Sequence, residues 1–138
     1  QNPDSFHIQF QEIAHYFTPM QVESGVQLIQ QGQDAGGLYF IEKGRITVQL
    51  ETPDGPTVRL KTMGSNTVVG EVSLYLQGKA SASVVTNLPC GVFHLSMESF
   101  IRMNQEVPEE AAQLHTYVVR LLSNRLASTN KTIHALMD

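Results

Sequence analysis

The chain has 138 residues and a formal net charge of −4, and 41% of its residues are hydrophobic while 16% are charged. This length is enough to bury roughly two thirds of the unfolded surface in one core, and this composition excludes a disordered chain. The nine lysines and arginines are scattered rather than clustered, so we expect no nucleic-acid partner. No apolar run approaches the roughly 18 residues of a membrane span, and no charged, apolar leader precedes the first predicted element.

The first predicted element is a short helix from Phe6 to Phe17. Its apolar residues recur near the 3.6-residue period of a helix, at Phe6, Phe10, Ile13, Ala14 and Phe17. Pro19 is expected to end this helix. We therefore assign residues 1–20 to an N-terminal helical segment.

Short apolar pieces separated by turn residues follow and predict a series of strands over residues 21–95. The clearest strand runs from Arg45 to Glu51, where apolar and polar residues alternate. Alternation places every second side chain on the same face of a sheet, so we expect this strand to bury Ile46, Val48 and Leu50. Another strand is predicted from Cys90 to Leu95, where both faces mix polar with apolar residues and no inward set can be assigned.

A hairpin is predicted after the Arg45 strand, because Thr52 to Gly55 places proline second and glycine fourth in a turn. The returning strand is expected to bury Val58 and Leu60 and to expose Arg59 and Lys61. Asn66, at the next corner, is expected to adopt a positive φ. Several short strands with close corners are typical of a β-barrel or a sandwich.

Two helices are predicted over residues 96–138. Ser96 is a suitable N-cap for the first, which contains Phe100, Ile101 and Met103, and Pro108 opens the longer second helix. The second helix carries one apolar stripe of Ala111, Leu114, Val118 and Leu121. Its other stripe has heptad spacing and consists of His115, Val119, Leu122, Leu126, Thr129, Ile133 and Leu136. The second stripe is either a seam that pairs two copies of the chain or part of one wide core-facing surface.

No catalytic or metal-binding pattern is present. The single Cys90 has no partner for an internal disulfide, and we interpret it as a buried reduced thiol in the cytosol. The histidines lie without the spacing of metal ligands, at His7, His15, His94, His115 and His134. We therefore expect a protein that is not an enzyme and holds no metal or cofactor.

The most informative stretch is Gly70 to Lys79 (GEVSLYLQGK), followed by Ala80 to Val84 (ASASV). With the order of elements around it, this stretch resembles the cyclic-nucleotide-binding domain family. The other positions that carry the resemblance are Gly25, Gly32, the segment Leu38 to Gly44, Val69, Leu74 and Ala82. The resemblance implies one domain over residues 1–138, with an α+β fold in which a jelly-roll-like antiparallel β-roll is flanked by a short N-terminal helix and C-terminal helices.

The same resemblance implies a ligand site within residues 69–84. Backbone N–H groups of Gly70, Val72 and Ser73 would face the phosphate of a cyclic nucleotide, and Glu71 would accept a hydrogen bond from the ribose hydroxyl. The arginine that binds the phosphate in the family falls nine residues after Glu71, at Ala80. Because a methyl group replaces a guanidinium there, we expect weak or lost binding of cyclic nucleotides.

The residues around Ala80 bear on that expectation. Lys79 is cationic, but adjacent side chains in an extended segment point apart and an ammonium group lacks the bidentate fork of arginine. Ser81 and Ala82 complete the candidate ligand site. Ser81 and Ser83 either offer hydroxyl groups to another ligand or are ordinary strand serines. A functional sensor of cAMP or cGMP that uses Lys79 and Glu71 is the alternative interpretation, and a dimerisation module is a third.

A narrower resemblance concerns the protein of which this chain is a part. From Gly37 to the end, the chain is similar to the cytosolic domain fused behind the transporter core of some SulP-type (sulfate permease family) anion transporters. The first residue, Gln1, is not an initiator methionine, which fits an excised piece of a longer chain. We therefore expect a cytosolic regulatory domain attached to an inner-membrane transporter.

Overall fold

The computed structural model describes residues 10–137, with side chains described as far as residue 127. A 3-10 helix spans Gln11–Tyr16 and a five-residue π-helix, here called the cassette helix, spans Val72–Leu76. The strands are β1 Thr18–Val22, β2 Gln27–Ile29, β3 Leu38–Lys43, β4 Ile46–Leu50, β5 Val58–Met63, β6 Thr67–Val69, β7 Ser83–Thr86 and β8 Cys90–Leu95. Two α-helices follow, α1 Met97–Glu106 and α2 Pro108–Met137.

The strands form two antiparallel sheets of four strands each. One sheet has the order β1-β8-β3-β6 and the other the order β2-β7-β4-β5. With the N-terminal 3-10 helix and the two C-terminal helices, this arrangement confirms the predicted α+β fold with a β-roll. No helix in the described part of the chain is long and apolar enough to cross a membrane.

Two apolar clusters divide the core. The larger lies beneath the helices, where the 3-10 helix, α1 and α2 pack on buried residues of the first sheet that include Leu38, Phe40 and Leu95. The smaller lies within the β-roll, contains Ile41, Ile46 and Val92, and has Ala80 packed against its edge. This second cluster brings the two sheets and the loop at Ala80 together.

The N-terminal prediction is correct in part. A helix is present, but in the described residues it ends at Tyr16, and Thr18–Val22 is strand β1 rather than part of a helical segment. Pro19 is accommodated because β1 is an outer strand of its sheet, where a missing N–H breaks no ladder hydrogen bond to a further strand. Phe6, the first residue of the predicted helix, lies outside the described residues.

The β4–β5 hairpin departs from simple alternation. Ile46 is fully buried, but Thr47 is buried as well, because its hydroxyl donates a hydrogen bond to Asn87 Oδ1. The prediction that Val58 and Leu60 are buried is wrong, since their exposed fractions are 43% and 55%. Strand β5 is an outer strand of its sheet, so its side chains are flanked and covered by those of one neighbouring strand instead of two.

The corner and capping predictions are confirmed. Asn66 has a φ of 62°. The Ser96 hydroxyl oxygen accepts a hydrogen bond from the Ser99 backbone N–H at 3.1 Å, and Pro108 begins α2. Cys90 is buried and unpaired, and its thiol donates to the Leu88 carbonyl.

The two apolar stripes of α2 differ in how far they are buried. Ala111, Leu114 and Val118 are buried, and Leu121 packs against the same cluster. In the second stripe, Val119 and Leu126 are 59% and 62% exposed, so the interpretation of one wide core-facing surface is wrong for them. Leu122 packs partly on the core and His115 bonds within the domain, so they do not belong to a free seam. Thr129, Ile133 and Leu136 lie beyond the residues whose side chains are described.

Candidate functional site

A pocket of about 90 Å³ lies where the cassette meets the inner face of the β-roll. Its apolar wall comes from β2, β4, β6 and β7 through Ile29, Val48, Val69 and Val84. Seven of the eight predicted site residues line this one pocket, namely Gly70, Glu71, Val72, Ser73, Ala80, Ser81 and Ala82. The structure thus brings the predicted cassette together, while ligand binding by these residues stays a prediction.

The turn that starts the cassette requires glycine. Gly70 has a φ of 89°, in the region that only glycine occupies readily. A Cβ atom at Gly70 would lie 2.2 Å from the Gly37 carbonyl oxygen. The absence of a side chain therefore lets β6 turn sharply against the start of β3 and places Glu71 at the pocket.

Glu71 is paired with a cation that the sequence analysis missed. Its Oε2 atom lies 3.8 Å from Nη1 of Arg125, which comes from α2. Arg125 Nη2 donates hydrogen bonds to the Thr67 hydroxyl at 3.0 Å and the Val68 carbonyl at 2.7 Å. Of the described residues that line the pocket, Glu71 and Arg125 are the charged ones. The pocket therefore holds one negative and one positive charge, and the positive one comes from a helix outside the cassette.

Ala80 is fixed by its backbone. Its N–H donates to the Gln33 carbonyl at 2.8 Å and its carbonyl accepts from the Gly32 N–H at 2.8 Å. The methyl group lines the pocket and packs against the inner cluster. Both backbone groups are thus bonded to the neighbouring loop, and the side chain offers no hydrogen bond to a ligand.

Lys79 is the predicted site residue that does not line the pocket. It is exposed. The pKa of Asp34 is lowered first by the hydrogen bond from Ser73, then by the one from Gly36, and to a smaller extent by the positive charge of Lys79. The chain therefore does not bring the Lys79 ammonium group into the pocket.

Ser83 is an ordinary strand serine, because it is fully buried and its hydroxyl oxygen accepts a hydrogen bond from the Gln31 N–H.

Asp34 is a second residue that the sequence analysis missed. Its Oδ1 atom accepts hydrogen bonds from the Ser73 hydroxyl at 2.6 Å and the Gly36 N–H at 2.9 Å. These bonds, with the one from Ser73 first, lower the pKa of Asp34. The available signal was the Asp-Ala-Gly order, in which an aspartate bonds the N–H two residues on. The hydroxyl of Ser73 is consequently bonded to a loop acid on the cassette side of the pocket.

A hydrogen-bonded chain links the cassette helix to both C-terminal helices. The Tyr75 hydroxyl lies 2.8 Å from His115 Nδ1, and His115 Nε2 lies 2.8 Å from Asn104 Oδ1. Asn104 Nδ2 donates to the Phe100 carbonyl, so Oδ1 must accept and His115 Nε2 must carry the proton. Burial raises the pKa of Tyr75 to about 12 and lowers that of His115. The neutral imidazole thus accepts from a protonated tyrosine.

Comparison with known proteins agrees with this geometry. A family profile described as "Cyclic nucleotide-binding domain" matches residues 19–106, which is more than half of the chain. The cAMP-activated global transcriptional regulator CRP of Haemophilus influenzae is 29% identical over 107 residues, which cover 77% of this chain and 46% of that protein. The protein named Glutaminase 2 of Bradyrhizobium diazoefficiens is 27% identical over 82% of this chain and 17% of its own length.

A solved cyclic nucleotide-binding domain from Methylobacillus flagellatus superposes with a TM-score of 0.82 at 19% identity and covers 96% of this chain and 85% of that chain. At this identity the likeness shows the fold alone. The chain spans less than half the length of the two curated relatives named above. One of them is named as a transcriptional regulator, which counts against our expectation that the protein has no nucleic-acid partner. The matched family is regulatory rather than catalytic.

Proposed function

Because the chain belongs to the cyclic nucleotide-binding domain family, we propose that it is a non-catalytic regulatory domain whose affinity for cyclic nucleotides is weakened by Ala80. The observation that carries the proposal is the methyl group of Ala80 in the same pocket wall as Glu71. The sequence resemblance assigns the phosphate-binding arginine to that position. A cyclic nucleotide would therefore meet an apolar surface where the family supplies a charged fork.

The expected loss follows from the strength of charged hydrogen bonds. A hydrogen bond to a charged group contributes about 1.5 to 3 kcal/mol, and removal of one partner of a buried charge pair costs about 2 to 5 kcal/mol. Since each 1.4 kcal/mol is a factor of about ten, affinity falls roughly 30-fold to several thousand-fold. A site that would bind at micromolar concentration is then mostly empty at ordinary messenger levels.

Calorimetric titration with cAMP and cGMP tests the proposal. We expect wild type to bind with a Kd well above the low micromolar range, and Ala80→Arg to bind at least about 30-fold more tightly. Lys79→Arg is the matched control, because it places a guanidinium one residue earlier on an exposed side chain, and it should not gain affinity. Low-micromolar binding by wild type would instead identify a functional cAMP or cGMP sensor, and no gain in Ala80→Arg would refute the role of this position.

The protein around this domain is a further part of the proposal. We infer that the chain is attached to a SulP-type anion transporter, because its sequence from Gly37 onward is similar to the domain fused to such transporters. The chain would then be a cytosolic domain of an inner-membrane protein. The gene sequence on either side of the region that encodes this chain tests this inference. Several apolar spans before Gln1 are expected, whereas a helix-turn-helix after Asp138 would identify a transcriptional regulator instead.

A second candidate function is pairing of two copies through α2. It is favoured by Val119 and Leu126, two large apolar side chains that are more than half exposed on the same helix. Apolar side chains exposed at helical spacing are typical of a helix that packs on a partner. This function is compatible with the first, because α2 also lines the ligand pocket through Arg125.

A further inference from the structure

We propose that Lys61, on strand β5, selects the base of the ligand and favours guanine over adenine. The inference rests on the proposed function, because it takes the ligand to be a cyclic nucleotide whose phosphate lies beside Ala80. It names a residue outside the cassette that discriminates between cGMP and cAMP.

Four side chains form one row across the inner face of the sheet β2-β7-β4-β5. Ile29 of β2 is paired with Val84 of β7, which is also paired with Val48 of β4. Val48 is in turn paired with Lys61 of β5. Directly paired residues of antiparallel strands place their side chains on the same face, about 5 Å apart. Since the three apolar members of the row line the pocket, Lys61 continues the pocket wall by one strand.

The exposure of Lys61 agrees with this position. The sequence pattern predicts that Lys61 faces water, but it is half-buried, while its neighbours Leu60 and Thr62 are exposed. No ion pair between described residues includes Lys61. Its ammonium group is therefore not neutralised by an acid in the described part of the chain, and its flexible four-carbon stem allows it to turn towards a ligand.

The two ends of this row differ in their surroundings. The β2 end adjoins Ala80, because the Ala80 backbone is hydrogen-bonded to Gly32 and Gln33 in the loop that follows β2. The β5 end carries Lys61, three strand spacings of about 4.8 Å further on. A nucleotide with its phosphate at Ala80 and its base over the apolar middle of the row therefore presents an edge of the base to Lys61.

The chemistry of an ammonium group determines which base is favoured. Lysine offers hydrogen-bond donors and no acceptor. Guanine carries adjacent acceptors at N7 and O6, whereas adenine carries an amino donor in place of O6. With guanine the ammonium group gains a charged hydrogen bond, and with adenine it meets a second donor. A hydrogen bond to a charged group is strong enough for a preference of about tenfold or more.

The test compares the dissociation constants of cAMP, cGMP and cyclic inosine monophosphate (cIMP), which keeps O6 and lacks the 2-amino group of guanine. Binding is measured by calorimetry in Ala80→Arg and by ligand-observed NMR at millimolar concentrations in wild type. We expect cGMP and cIMP to bind about tenfold more tightly than cAMP. Equal binding of the three, or a preference for cGMP that cIMP does not share, would overturn the inference.

Substitutions of Lys61 distinguish base selection from a general effect of charge. Lys61→Glu replaces donors by acceptors, so we expect cAMP to bind more tightly than cGMP, although both bind less tightly than before because the added charge is negative. Lys61→Gln offers a donor and an acceptor and should largely abolish the preference. If both variants keep the original ratio of the two dissociation constants, Lys61 does not contact the base and the inference is wrong.

Arg59→Gln is the matched control. It removes the same charge from the same strand, but Arg59 is paired with Gln49, the residue after Val48, so its side chain lies on the opposite face of the sheet. We expect this variant to keep the preference for cGMP. Equal changes of the ratio in Arg59→Gln and Lys61→Gln would show a long-range effect of charge and would also overturn the inference.

The remaining outcomes separate the inference from the proposed function. If Ala80→Arg binds more tightly than wild type but does not discriminate between bases, the inference fails alone. If wild type binds cGMP at low micromolar concentration and cAMP about tenfold less tightly, the weakening by Ala80 is refuted and the inference stands. If neither wild type nor Ala80→Arg binds any of the three nucleotides, the proposed function is refuted and the inference with it.

Discussion

Gly70, at the start of the cassette, and Gly37, directly before strand β3, determine how closely these two segments of backbone approach each other. The position that a Cβ atom would take at Gly70 lies 2.2 Å from the Gly37 carbonyl oxygen, and Gly37 itself would meet the Leu95 carbonyl oxygen at 2.2 Å. Three segments of backbone are therefore stacked at distances that no side chain allows. The location of Glu71 depends on this contact, because Glu71 directly follows the turn at Gly70.

Replacement of Gly70 by alanine is expected to destabilise the fold in two ways. The left-handed φ of 89° costs a residue with a Cβ atom about 1 to 2 kcal/mol, and the overlap with the Gly37 carbonyl adds a displacement of the backbone. Gly25→Ala is the matched control, since Gly25 has a φ of 83° but no atom within 4 Å of the Cβ position.

Urea denaturation measures both variants. We expect Gly25→Ala to lose about 1 to 2 kcal/mol of the free energy of unfolding and Gly70→Ala to lose clearly more. Equal losses would show that the tight contact between Gly70 and Gly37 is relieved without cost, and the argument that places Glu71 through this contact would be wrong.

At the scale of elements, the cassette helix is connected to the rest of the domain through Tyr75. Its hydroxyl bonds His115 of α2, and His115 bonds Asn104 of α1. The rings of Tyr75, Phe100 and His115 also contact one another edge to face. The cassette helix is therefore joined to both C-terminal helices through one polar chain.

The hydrogen bonds of His115 predict that the free energy of unfolding decreases in mild acid. Burial lowers the pKa of His115 below its ordinary value of 6.5, so the unfolded chain binds more protons than the folded one as the pH falls through that value. The free energy of unfolding therefore falls below about pH 6.5 and levels off once the pH is below the folded pKa. His115→Gln should remove this part of the pH dependence.

Urea denaturation from about pH 8.5 to about pH 5.0 measures the effect. The internal control is the range above about pH 7.5, where the histidine is neutral in both states and the curves of wild type and His115→Gln should run parallel. If the curves remain parallel down to the acid end of this range, His115 is not held neutral by the fold, and the assignment of a proton to Nε2 alone is wrong.

The sequence predicted most elements of the fold because periodicity and turn chemistry are local. The Asn66 corner, the Ser96 cap and the buried stripe of α2 were all readable from a few neighbouring residues. Strand β5 itself was predicted, but the exposure of Val58 and Leu60 was not, since it depends on β5 being an outer strand, which alternation does not reveal. Strand β1 was missed for a similar reason, because Pro19 ends helices but is tolerated at a sheet edge.

The candidate site was predictable where one stretch of sequence forms it. The cassette from Gly70 to Ala82 is continuous, whereas Arg125 reaches the pocket from more than forty residues away. A signal for Arg125 existed, since it continues the spacing of Ala111, Leu114, Val118 and Leu121 by one more step of four. That spacing places Arg125 on the inward face of α2, where a charged side chain requires a partner.

At the scale of the whole molecule, α2 has two faces that differ in their surroundings. Its inward face packs on the core and carries Arg125 to the pocket. Another face exposes Val119 and Leu126, seven residues apart. If that face holds a second copy of the chain, the same helix would contact both the partner and the pocket. Ligand binding and pairing would then act on one rigid element, which is the simplest way to couple them.

Sedimentation of the wild-type chain beside Val119→Glu and Leu126→Glu tests the pairing. We expect a dimer for wild type and monomers for both variants, because a buried glutamate carboxylate on each side of a seam would be desolvated and would repel its copy. Leu122 is unsuitable for this purpose, since it packs partly on the core of its own domain. Leu76→Glu is the matched control, because Leu76 is 76% exposed on the cassette helix rather than on α2, and this variant should remain dimeric. A wild-type monomer, or dimers that persist in both α2 variants, would exclude this face of the helix as a contact between copies.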